Sequence, residues 1–152
     1  MNDIIISDTS CLILFDKINE TILLRELYGT IYITTEIAEE YGKVLPEWIN
    51  ILSIKSKHKK KQLENYVDKG EASAIALALE IPNGLLLIDD KKGRQLAKRL
   101  GISISGTLGT ILKAKKKGLI KSVKPYIDKL IDINYWISPS LIKQILNKEK
   151  EL

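Results

Sequence analysis

Short apolar runs alternate along this chain with stretches whose apolar residues recur every three or four positions. Residues 3–7, centred on Ile4-Ile5-Ile6, read as a buried strand ending at Asp8. Residues 11–17 and 20–28 read as helices, the second carrying Leu23, Leu24 and Leu27 and closed by Gly29. Ile31-Tyr32-Ile33-Thr34 is β-branched and aromatic, so it reads as a second strand. A helix over 35–42 follows, with Glu36, Glu39 and Glu40 in it and Gly42 as its stop. Residues 49–54 read as an edge-like third strand, and 58–68 as a polar, lysine-heavy helix. Gly70 is predicted to break the chain before a helix over 71–81, where Ala72, Ile75, Ala76 and Leu79 repeat at helical spacing. Pro82-Asn83-Gly84 is a turn signal, 85–88 a fully apolar strand, and 90–100 a helix closed by Gly101. Residues 102–105 read as a last strand. Gly106-Thr107 opens a helix over 107–117 closed by Gly118, and two more helices are predicted at 122–132 and 139–149.

Strands separated by helices imply right-handed crossovers and a parallel sheet covered on both faces. The expected class is therefore α/β: three layers, with a mostly parallel sheet of four or five strands flanked by helices. The ligand crevice of such a sheet lies outside the carboxyl ends of its strands. With 152 residues and no linker, repeat or low-complexity tract, one domain over 1–152 is expected.

Composition narrows the picture modestly. Hydrophobic residues make up 45% of the chain and charged residues 28%, an ordinary globular balance. The net charge of +5 permits contact with nucleic acid without requiring it. Cys11 is the one cysteine, so an intrachain disulfide is excluded and a reducing compartment is the simpler reading. No apolar run reaches the roughly 18 residues of a membrane span, and acidic Asp3 precedes the first apolar run, so no signal peptide is expected and the cytoplasm is the default location.

The candidate chemistry lies in four acids: Asp8, Glu40, Glu71 and Asp90. Asp8 and the Asp89-Asp90 doublet fall at strand ends, while Glu40 and Glu71 sit on helices able to reach the same crevice. Each has an ordinary explanation. Asp8 and Asp90 suit helix N-caps, Glu71 suits a helix start, and Glu40 lies in a run where Glu36 or Glu39 could take its place. Two adjacent carboxylates such as Asp89 and Asp90, however, repel unless a cation offsets them. A set of oxygen ligands suits Mg²⁺ or Mn²⁺ bound together with substrate phosphate, and such an ion can activate water for attack on a phosphodiester. Cys11 and His58 are single, which leaves neither a zinc cluster nor a nucleophile triad, and no glycine-rich phosphate loop is present.

These residues resemble the PIN domain family, in particular the compact prokaryotic branch of VapC-type toxin ribonucleases. The resemblance spans nearly the whole chain. It rests on Ser7-Asp8-Thr9-Ser10 after an apolar run, Glu39-Glu40-Tyr41-Gly42, Gly70-Glu71-Ala72-Ser73-Ala74-Ile75, Leu87-Ile88-Asp89-Asp90-Lys91-Lys92-Gly93-Arg94, and Ser105-Gly106-Thr107-Leu108-Gly109. It implies a PIN-like fold with an acidic cluster holding Mg²⁺ or Mn²⁺ and cleaving single-stranded RNA. By position Asp8, Glu40, Glu71 and Asp90 match the four acids, Asp89 is an accessory ligand, and Thr9, Ser10 and Thr107 match hydroxyl residues near the site. RNA, a cognate antitoxin and a homodimer are the implied partners. The third acid is commonly Asp in the toxins, and here it is Glu71.

Lysines and arginines cluster at 55–61, 91–99 and 113–121, either as solvated helix faces or as an RNA track. Arg94, one turn after Asp90, is the candidate for a phosphate near the metal. Aromatic residues are scarce at 6%, and no base-stacking platform is evident; Tyr135 and Trp136 read as a core edge or a dimer contact. Two other readings stand beside the nuclease. One is a PIN fold without catalysis that serves as a binding module. The other is a receiver-type phosphoacceptor, for which the expected lysine after a late strand is missing at Gly106-Thr107.

Overall fold

The computed structural model describes residues 4–152; Met1–Asp3, and with them the expected start of the first strand at residue 3, lie outside the described residues. Five strands form one sheet: β1 (Ile4–Ser7), β2 (Ile31–Ile33), β3 (Ile49–Ile51), β4 (Gly84–Leu87) and β5 (Ser103–Ser105). Their order is β3-β2-β1-β4-β5, and every pairing is parallel. Among the described residues the connections supply nine helices: α1 (Thr9–Lys17), α2 (Thr21–Tyr28), α3 (Thr35–Tyr41), α4 (Lys57–Leu63), α5 (Lys69–Glu80), α6 (Lys91–Arg99), α7 (Thr107–Lys116), α8 (Lys124–Asp132) and α9 (Pro139–Lys148). The result is a three-layer α/β/α, PIN-like fold, as the alternating pattern predicts. No helix among the described residues is long and apolar enough to cross a membrane.

The strand order fixes where a ligand would sit. From β1 the chain moves outward through β2 to the edge strand β3, then returns across the sheet to β4 on the other side of β1. The direction of winding reverses between β1 and β4, and the crevice beyond their carboxyl ends is the expected binding position. Register carries the two chain ends to that point together: Ser7 lies beside Leu87, and the Asp8 N–H still donates to the Leu87 carbonyl at 2.9 Å.

Helix α5 backs this crevice. Its residues from Gly70 through Ala78 are all buried, and the small side chains of Ala72, Ala74, Ala76 and Ala78, distributed around the helix, let both the sheet and the neighbouring helices approach it closely. The expectation that Gly70 breaks the chain is corrected here. Asp68 is the N-cap, its carboxylate accepting from the Glu71 N–H at 2.9 Å, and Gly70 is the second residue of the helix. A glycine is tolerated there because a Cβ would collide with the Glu40 carboxylate. The lysine-rich helix α4 is shorter than expected and ends at Leu63, and β3 stops at Ile51. Gly29 and Gly42 cap α2 and α3 at positive φ, as their positions in the sequence imply.

Candidate functional site

Each acid reaches the crevice for a local reason. Asp8 follows β1 directly and is 2% exposed, although no side-chain cap bond holds it to α1. Glu40 is carried by α3, which is fixed from below: Thr34 caps it by accepting from the Ile37 N–H at 3.1 Å, and the Thr34 hydroxyl lies 2.6 Å from that of Ser73 on α5. This buried pair ties α3 to α5 and brings the Glu40 carboxylate over Gly70, where Thr9 donates to it at 3.2 Å. Glu36 pairs instead with Lys60 at 2.7 Å, and Glu39 lines a separate cavity, so Glu40 is the member of its run that joins the other acids. Glu71, at the third position of α5, is buried and points toward Gly93, where a Cβ would stand 2.7 Å from its Oε2.

The Asp89-Asp90 doublet divides its work. Asp90 caps α6, accepting from the Gly93 N–H at 3.0 Å, and stands close enough to Glu71 to disfavour the charged form of that residue. Asp89 turns toward α7: its Oδ1 accepts from the Thr107 N–H at 2.9 Å and its Oδ2 from the Thr107 hydroxyl at 2.5 Å. Cys11 and Tyr135 also donate to Asp89, at 3.5 and 3.3 Å. Thr107 is fully buried, so it stands behind Asp89 as its orienting donor, and Thr9 does the same for Glu40. Ser10 is exposed on the first turn of α1. The Arg94 guanidinium donates to the Ile88 carbonyl at 2.8 Å, which fixes it beside Asp89.

Electrostatics set these carboxylates apart. Burial, with the nearby charges of Asp68, Glu40 and Asp89, pushes Asp8 up to about 7. Burial together with Asp68, Asp90 and Asp8 pushes Glu71 up to about 9. Among the described residues Glu71 Oε2 meets no hydrogen-bond donor, and a buried acceptor left in that state is costly. Burial and the neighbouring Asp89 also raise Tyr135, which keeps its phenol a donor. Among the described residues no three ligating side chains form a ready-made metal shell. The donor set nevertheless fits a hard divalent ion: oxygen ligands from several elements, one of them orphaned, in a cluster whose repulsion a cation would relieve.

Asp68 is the member of this cluster that the sequence reading passed over. Its signal was present, because Asp68 three residues before Glu71 is the spacing of a helix N-cap and its N3 acid. Two cavities are lined by charged residues near these elements in the chain. One, of about 720 Å³, is lined by Lys57, Lys60, Lys61 and Lys69 with Glu36, Glu39 and Glu64. The other, of about 410 Å³, lies between Asp89, Arg94, Gly106 and Tyr135.

A family profile described as a PIN domain matches residues 4–151. The chain belongs to the PIN domain family, whose members are generally nucleases that use divalent metal ions. A comparison with curated proteins finds no match. Family membership leaves the receiver-type reading without support.

Proposed function

We propose that this chain is a divalent-metal-dependent endoribonuclease of the VapC-type branch, hydrolysing phosphodiester bonds of single-stranded RNA as the toxin of a toxin–antitoxin pair. The observation that carries the reading is Glu71 Oε2, buried without a donor amid Asp8, Asp68 and Asp90. An acid in that state favours either a proton or a cation. Asp8, Glu40, Glu71 and Asp90 would hold Mg²⁺ or Mn²⁺, with Asp89 as the accessory ligand. When bound, the ion supplies a lowered water pKa and charge stabilisation at the phosphate.

The remaining work falls to the chain itself. Thr9 and Thr107 fix the orientations of Glu40 and Asp89. The Arg94 guanidinium, held by the Ile88 carbonyl with other N–H donors to spare, meets a phosphate oxygen. Lys57, Lys61 and Lys69 make no ion pair among the described residues and extend a phosphate track along the larger cavity. An antitoxin protein, a homodimer and a single-domain life in the cytoplasm complete the proposal.

The test is cleavage of a single-stranded RNA by the purified protein with Mn²⁺ or Mg²⁺. Activity that disappears in EDTA and in Asp8→Asn supports the mechanism, and activity that survives either overturns it. Glu71 in place of the usual aspartate favours a second reading, a PIN fold that binds without cutting. Calorimetry separates the two, because millimolar Mn²⁺ produces no binding heat under the second reading.

A further inference from the structure

The loop between α8 and α9 reaches Asp89. Tyr135 donates to Asp89 Oδ1 at 3.3 Å, and its side chain walls the 410 Å³ cleft opposite Arg94. The next residue, Trp136, is 80% exposed. The loop that presents it is anchored at both ends. The Tyr135 N–H donates to the Leu130 carbonyl at 2.9 Å, Ile137 is buried, and Ser138 caps α9 by accepting from the Leu141 N–H at 3.2 Å. An indole held out in water on an anchored loop, one residue from a contact to a candidate metal acid, has no packing role to explain it.

The cleft is also kept open. A Cβ on Gly106 would stand 2.6 Å from Asp89 Oδ1 and 2.9 Å from Arg94 Nη1. The glycine thus admits a carboxylate and a guanidinium to the same corner. Arg94 makes no ion pair among the described residues, so its outward N–H groups are free for an anion. The cleft therefore joins a fixed cation for a phosphate to the Tyr135 ring and to Asp89, and the exposed Trp136 indole follows Tyr135 directly on the same loop.

We propose that the Tyr135–Trp136 loop is a base-stacking subsite, which takes an unpaired base of the strand whose neighbouring phosphate meets Arg94 and the acids. It rests on the nuclease reading for the identity of its ligand as single-stranded nucleic acid. Stacking is sequence-tolerant and demands an exposed base face, so the subsite favours a single strand over a duplex. The stacking surface comes from two adjacent residues, which is why a composition poor in aromatics gave no sign of it.

The experiment measures binding of a labelled single-stranded RNA and of its abasic counterpart by fluorescence anisotropy in EDTA, where nothing is cut. Trp136→Ala is expected to weaken binding of the normal strand roughly 5- to 100-fold, Trp136→Phe to restore most of it, and the abasic strand to bind both proteins alike. Equal affinity of Trp136→Ala and the parent protein for the normal strand overturns the proposal. So does a variant whose only change is its state of association by light scattering, since the indole is then a protein contact. The two readings fail separately. Binding that depends on Trp136 without cleavage in Mn²⁺ leaves the subsite standing and removes the hydrolysis; cleavage with binding indifferent to Trp136 does the reverse.

Discussion

Replacing Asp8 by Asn should make the metal-free protein more stable, by an amount that grows with pH. Asp8 ordinarily titrates at 3.8, and burial with its acidic neighbours raises it to about 7 in the folded chain. Below pH 3.8 both states hold the proton and Asp8 costs nothing. Between 3.8 and about 7 the unfolded chain has lost the proton while the folded one retains it, so stability falls as pH rises. Above about 7 both are ionised and the deficit is constant. At about 1.4 kcal/mol for each pH unit between the two values, it reaches roughly 4 kcal/mol at pH 8 and only about 1.6 kcal/mol at pH 5. Asn keeps the size and removes the charge. Urea unfolding followed by circular dichroism should therefore show the gap between Asp8→Asn and the parent widening by about 2–3 kcal/mol from pH 5 to pH 8. Removing the charge also relieves Glu71, which acts in the same direction. Saturating Mn²⁺ at pH 8 should restore the parent protein and do much less for the variant, because a ligand at a hundred times its Kd contributes about 2.7 kcal/mol. Parallel pH profiles for the two proteins, or equal stabilisation by Mn²⁺, would refute the reasoning.

Mn²⁺ affinity measured by calorimetry should rise from pH 6 to pH 8, with proton release, because Asp8 and Glu71 must give up protons at about 7 and about 9 to become ligands; a flat profile counts against both as ligands. Gly70→Ala should leave the melting temperature unchanged or slightly raised, since alanine favours a helix by up to about 1 kcal/mol, yet reduce Mn²⁺ affinity about tenfold or more as its Cβ displaces the Glu40 carboxylate. Unchanged affinity would place Glu40 outside the site. Glu151→Ala should lower the melting temperature by roughly 3–6 °C without altering metal binding, because Glu151 accepts from the Val123 and Lys124 N–H groups at the start of α8 and such a cap contributes about 1–2 kcal/mol.

Sheet and helix order were legible because the central strands are short, apolar and largely buried, and helices such as α2 and α5 carry apolar residues at helical spacing. Ile4-Ile5-Ile6 and Leu85-Leu86-Leu87 could hardly be anything but central strands, and they are β1 and β4. The strand-end positions of Asp8 and Asp89 follow from that register alone. The start of α5 was not legible, because propensity condemns a glycine inside a helix while a contact with Glu40, thirty residues away, decides the matter. Asp68 was lost with that boundary. The choice among Glu36, Glu39 and Glu40 likewise turned on tertiary partners, Lys60 for the first and Thr9 for the last. No local pattern announces that Tyr135 will touch Asp89 across 46 positions of sequence.

The resemblance to the toxin branch leads to the expectation of an aspartate where this chain has Glu71, and the surroundings of Glu71 change what that difference means. A glutamate in place of an aspartate carries its carboxylate one methylene farther from the helix. Were nothing else altered, that carboxylate would meet the first turn of α6. Here the residue it meets is Gly93, and the space that a Cβ would fill is shared by Ile88 Cδ1, at 2.5 Å, and Glu71 Oε2, at 2.7 Å. The same glycine offers its N–H to Asp90 at 3.0 Å, so α6 remains capped while Glu71 and Asp90 come together. Gly70 stands in the same relation to Glu40, and Gly106 to Asp89. Three of the acids thus lie against a glycine, and the three glycines stand at the starts of three different helices, α5, α6 and α7. Under the nuclease reading, the glycine opposite Glu71 gives the longer acid its room, so the exchange of Asp for Glu keeps a carboxylate at the site instead of removing one.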